Sequence, residues 1–102
     1  MSAIITNHAM KAIRKRIGIN KKAVQSLADK ALLNGLWHKH LKGSLKKYVS
    51  KQYNKYETAN GIRIYGEYIF FFKGSYLLTV YSIPVKYKNN LKAIKEKNYE
   101  QI

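Results

Sequence analysis

"GIRIYGEYIFFFKGSYLLTVYSIP", residues 61–84, decides the fold. Three runs rich in β-branched and aromatic residues, "IRIYG", "EYIFFF" and "YLLTVYSI", are separated by Gly66 and by "KGS" at 73–75. Such runs suit a pleated, packed surface, and short glycine-containing breaks turn the chain back on itself, so the segment reads as an antiparallel meander. Pro84 has no N–H to give a ladder and ends the last strand. Pleat parity sets Arg63 opposite Ile62 and Ile64, facing solvent or a groove. It also puts Thr79 and Tyr81 on one side of the last strand, with Leu78 and Val80 on the other.

Upstream the period becomes that of a helix. Residues 3–6 suit a short first strand, and in "NHAMKAIRKRIG" a helix capped by Thr6 or Asn7 begins near His8 and stops at Gly18. At about 100° per residue, Met10, Ile13 and Ile17 form its buried stripe with Ala9 beside them. His8, Lys11 and Lys15 fall together on the opposite side, and Arg14 and Arg16 flank the stripe on either edge. Asn20 caps a second helix whose Val24, Leu27, Ala28, Ala31 and Leu32 keep the rhythm until "NG" at 34–35. "LWHKHLKG" follows as a connection anchored by Trp37. In "SLKKYVSKQYNKY" a helix collects Leu45, Tyr48, Val49, Gln52, Tyr53 and Tyr56 on one side and lysines on the other. It is preferred to a strand that would mix Leu45, Lys47, Val49, Lys51 and Tyr53 on one face. The expected architecture is α+β, with N-terminal helices packed on one face of a small antiparallel meander. Residues 1–84 form one domain, and 85–102 a basic C-terminal tail or short helix.

The 102 residues suffice for one core, and they carry 20 Lys and Arg against five acids, a net charge of +15. A compact body so charged repels itself unless it binds something anionic. Nine tyrosines and cations spread along the whole chain favour nucleic acid over a membrane surface. Without cysteine there is no disulfide and no thiolate metal site. The first residues do not read as a signal peptide and "YIFFF" is too short to cross a bilayer, so the expectation is a cytoplasmic chain with no membrane association. Heavy use of Lys, Asn, Ile and Tyr fits an AT-rich coding sequence, as in a low-GC bacterium, its phage or a mobile element.

His8 is the candidate general base. A metal-free ribonuclease starts by taking the proton from the RNA 2′-hydroxyl, while cations steady the extra charge on the phosphate. Lys11, Arg14, Lys15 and Arg16 are the candidate phosphate contacts, and the arginines suit the role best because a planar fork bonds two oxygens at once. The alternative is an ordinary solvated helix face. "HKH" at 38–40 lacks a nearby carboxylate to complete a metal site, so His38 and His40 are read as RNA contacts, as is Arg63. Thr79 and Tyr81 offer hydroxyls to a phosphate, and Tyr81 a ring to a base. The five acids are scattered, so the paired carboxylates of a two-metal nuclease are missing, and no cofactor is expected.

A short strand, the helix of "NHAMKAIRKRIG", a second helix and a meander ending "YLLTVYSIP" together resemble the small ribonucleases of the RelE toxin type and the wider group that joins barnase, EndoU and the colicin ribonucleases. His8 followed by Arg14 and Arg16 looks like the "H…R…R" helix of that group, and "LLTVY" like its closing strand. The resemblance implies a RelE-like fold and metal-independent cleavage of tRNA or mRNA, with His8, Arg14, Arg16, Thr79 and Tyr81 lining the groove. It also implies an acidic antitoxin as partner. Many RelE toxins set their key basic and aromatic residues on later strands and the tail, whereas this meander carries only Arg63 and Lys73. The competing reading is a non-catalytic phage or mobile-element protein, such as an anti-CRISPR or other anti-defence factor, gripping RNA or an acidic protein surface.

Overall fold

"YIFFF" does not alternate between apolar and polar, and the computed structural model gives the reason: both faces of the sheet are covered. The structure describes residues 2–37, 41, 43–53 and 59–93. The elements run β1 (Ile4–Ile5), α1 (Asn7–Arg16), α2 (Lys21–Asn34), β2 (Leu36–Trp37), α3 (Gly43–Tyr53), β3 (Gly61–Tyr65), β4 (Tyr68–Lys73) and β5 (Tyr76–Ser82). A 3-10 turn at Val85–Tyr87 leads into helical residues 88–93. The fold is α+β, N-terminal helices against a five-strand, mostly antiparallel sheet that closes with the expected meander.

The strand order is β1-β5-β4-β3-β2. β3, β4 and β5 pair antiparallel in sequence, β2 adds antiparallel to β3, and β1 lies parallel to β5, Ile4 opposite Tyr76 and Ile5 opposite Leu77. Thr6 then performs two tasks. Its hydroxyl oxygen accepts the Ala9 N–H at 3.1 Å, which caps α1, and its O–H donates to the Leu77 carbonyl at 2.8 Å, which fixes that cap to β5. Asn20 caps α2 by accepting the Ala23 N–H at 2.9 Å. Asp29 of α2 accepts the Ala3 N–H at 2.7 Å, and Gln25 donates to the Ala3 carbonyl, so α2 holds the entry to β1.

On one face α1 and α2 bury Ala9, Ile13, Val24, Ala28 and Leu32 against Phe70, Phe72, Leu77 and Val80. On the other, α3 buries Leu45 and Val49 against Ile62, Ile64, Ile69 and Phe71, joined by Ile83 and Leu91. The three consecutive phenylalanines are wholly buried on alternate sides, and truncating one to alanine costs roughly 3–5 kcal/mol. A bulge in the β4–β5 ladder pairs Phe71 with Thr79 but Phe72 with Leu77, leaving Leu78 unmatched. The simple alternation expected for β5 is therefore corrected: Leu78 packs with the α3 side, as Tyr81 does, while Leu77 and Val80 face α1 and α2.

Candidate nucleic-acid interface

α1 is amphipathic without a single acid. Ala9, Ala12 and Ile13 are buried, and His8, Lys11, Arg14 and Lys15 are exposed. Residues three and four apart on a helix are neighbours, so Lys11 lies beside His8, Arg14 and Lys15 at once. α2 extends the same side of the molecule with exposed Lys21, Lys22 and Lys30. Among the described residues the only ion pair joins Lys88 to Glu67 at 3.1 Å, between exposed side chains, so no described acid pairs with the cations of α1 and α2.

Arg16 is placed differently. Its Nη1 donates to the Val80 carbonyl at 2.9 Å and its guanidinium carbon lies 4.4 Å from the centre of the Tyr81 ring, which meets Phe71 edge-on. β1 pairs with β5 only at Tyr76 and Leu77, so Arg16 occupies the edge of β5 that β1 leaves uncovered. The structure thus brings Arg16 and Tyr81 together, as a contact that fastens α1 to the sheet. At 1.5 Å per residue, His8 and Arg16 stand about 12 Å apart along the helix, and Arg14 and Arg16 point to nearly opposite sides of it. One phosphate cannot be held by both arginines, in keeping with their expected places on either edge of the buried stripe.

Two expectations are corrected by burial. Thr79 is wholly inaccessible, pairs with Phe71 on the α3 side, and leaves its hydroxyl without a hydrogen-bond partner, so it lines no surface groove. Arg63 is 7 % exposed and faces neither solvent nor a groove. Its guanidinium carbon sits 3.7 Å from the Trp37 ring centre and 5.3 Å from that of Phe72, with Nη1 donating to the Gly61 carbonyl at 3.2 Å. Its Nε is buried with no partner, and desolvation lowers the pKa of the group. Gly61 and Gly35 make the space: a Cβ on the first would stand 2.6 Å from Nη1, and on the second 2.8 Å from the Arg63 Cβ. His38 and His40 lie outside the described residues.

Sequence reading gave no role to the lysines of α3. Lys46, Lys47 and Lys51 line, with Gly43 and Ser50, a shallow open depression of about 530 Å³ on the far side of the sheet from α1. Their signal was the lysine side of the predicted helix. Among the described residues no three His, Asp or Glu side chains gather as a metal site, and no helix is long and apolar enough to cross a membrane. Comparison with family models, with curated proteins and with solved structures finds no match.

Proposed function

We propose that the chain binds RNA along the outer face of α1, with α2 widening the contact. The observation that supports this is a helix face on which His8, Lys11, Arg14 and Lys15 are exposed with no acid on the helix and no ion pair to any described residue. A phosphate backbone supplies the missing negative charge at regular intervals, and binding releases its counterions.

Metal-independent cleavage is the catalytic form of the same proposal, and it follows the RelE-type resemblance. What favours it is the exposure of His8 in the first turn with Lys11 one turn away. His8 would take the 2′-hydroxyl proton, the 2′ oxygen would attack phosphorus to give a 2′,3′-cyclic phosphate, and the bond to the 5′ oxygen would break, that oxygen taking a proton from water, while Lys11 and Arg14 steadied the added charge. Thr79 and Arg63 have no part in this arrangement, and Arg16 and Tyr81 position α1. An acidic protein, such as an antitoxin, would cover the same cations.

The test incubates wild type and His8→Ala with total tRNA and a generic mRNA in EDTA, reading retained and shortened RNA together. Retention by both proteins with shortening by wild type alone supports a nuclease. Retention without shortening leaves a binding protein. No retention by either refutes the RNA reading.

A further inference from the structure

We propose that the outer face of α3 is a second phosphate-backbone site, so that one molecule holds two RNA segments, one on each side of its sheet. The inference rests on the RNA reading of α1 and adds a second place of contact. α3 turns Leu45 and Val49 into the core, which leaves Lys46, Lys47 and Lys51 exposed on its outer side, none in an ion pair with an acid among the described residues. These three cations line the depression together with Gly43 and Ser50.

The helix that carries them is fixed. Its Leu45 N–H donates to Asn90 Oδ1 at 3.2 Å, and the Asn90 side chain lies against Gly43, whose φ of +67° suits glycine. Leu91 is buried beneath, so residues 88–93 brace the start of α3 and carry exposed Lys92 alongside. The lysines are therefore presented by a packed element and not by a loop.

The chemistry of this face selects the ligand. A protein partner needs buried apolar anchors, and among the described side chains the exposed large apolar ones, Ile4, Leu33, Trp37, Tyr76 and Val85, lie outside α3. Among the described side chains the outer side of α3 holds Gly43, Ser44, Lys46, Lys47, Ser50 and Lys51, which offer cations and small hydroxyl groups. Those are the groups that meet phosphate and sugar without reading bases. Contacts of this kind follow the backbone, so the second site binds without regard to sequence.

Geometry separates the two sites. With helices packed roughly 10 Å from a sheet on either side, the α1 and α3 axes stand roughly 20 Å apart and their outer cations farther. At physiological salt the screening length is about 8 Å, so RNA on α1 leaves the charge of α3 intact and a second strand still binds.

Two non-complementary RNA oligonucleotides, one with a donor and one with an acceptor fluorophore, test this against the full chain, with sedimentation reporting its association state. Wild type as a monomer should produce energy transfer that peaks near one protein per two oligonucleotides and fades in excess protein. The variant K46Q/K47Q/K51Q should keep single-oligonucleotide anisotropy but weaken the second step about 100-fold at 0.1 M salt, three contacts at about 0.7 log units each. K46R/K47R/K51R should retain transfer, which separates charge from fold. Binding without transfer, transfer unchanged in the glutamine variant, or transfer only when the protein self-associates overturns the second site. No binding at all overturns the RNA reading and this one with it.

Discussion

Replacing Lys11 and Lys15 by glutamine removes two charges from the outer face of α1 without touching its buried face, Ala9, Ala12 and Ile13. Both lysines are exposed and neither makes an ion pair with a described residue, so their removal relieves repulsion among the cations of α1. If each holds one phosphate of a single strand, the slope of log K against log salt falls by about 1.4, at about 0.7 for each contact. Taking the electrostatic part as gone at 1 M, the same slope makes the variant about 25-fold weaker at 0.1 M, the deficit closing as salt rises. Fluorescence anisotropy of a labelled single-stranded RNA across a salt series measures both quantities. An unchanged slope in a folded variant would place RNA away from α1, and a deficit that persists at high salt would mean that the lysines act through packing.

Other perturbations follow from the contacts of single residues. Thr79→Val should raise stability by about 1 kcal/mol in urea unfolding, because it removes a buried hydroxyl without a partner, and should leave RNA affinity unchanged; a loss of stability would reveal a partner for that hydroxyl. Arg16→Ala should cost about 1–2 kcal/mol through the lost bond to the Val80 carbonyl and the lost face of Tyr81, with Arg16→Lys recovering part; equal stability would show the contact to be idle. Arg63→Met should match or exceed wild type, whereas Arg63→Ala, which opens a cavity beneath Trp37, should lose about 2–3 kcal/mol. Burial lowers the pKa of Arg63, so its cost is complete below that titration and lifts only as pH rises through it. A guanidinium stays protonated in any workable buffer, so the difference between Arg63→Met and wild type should be flat from about pH 5 to about pH 9; a slope there would implicate another group.

The local parts of the fold were legible and the long-range parts were not. Thr6 and Asn20 announced their helices, the glycine breaks announced the meander, and Leu45 with Val49 marked the buried side of α3. β2 was missed because Leu36 and Trp37 are too few to show a period, and the parallel pairing of β1 with β5 joins residues some seventy positions apart. The errors at Thr79 and Arg63 share one cause. Pleat parity separates inside from outside only in a sheet with one open face, and this sheet has none, since α1 and α2 cover one face and α3 the other. The unbroken apolar run of "YIFFF" carried that warning. Helical spacing placed His8, Lys11 and Lys15 on the solvent side correctly, yet could not tell that Arg16 would be drawn to the open edge of β5.

The most direct measurement is lysine acetylation of the intact chain with and without bound RNA, each site quantified by mass spectrometry. The account predicts strong protection at Lys11 and Lys15, with exposed Lys73 on the β4–β5 turn still modified. Equal modification of Lys11, Lys15 and Lys73 in the presence of saturating RNA would contradict the assignment of α1 as the RNA-binding face.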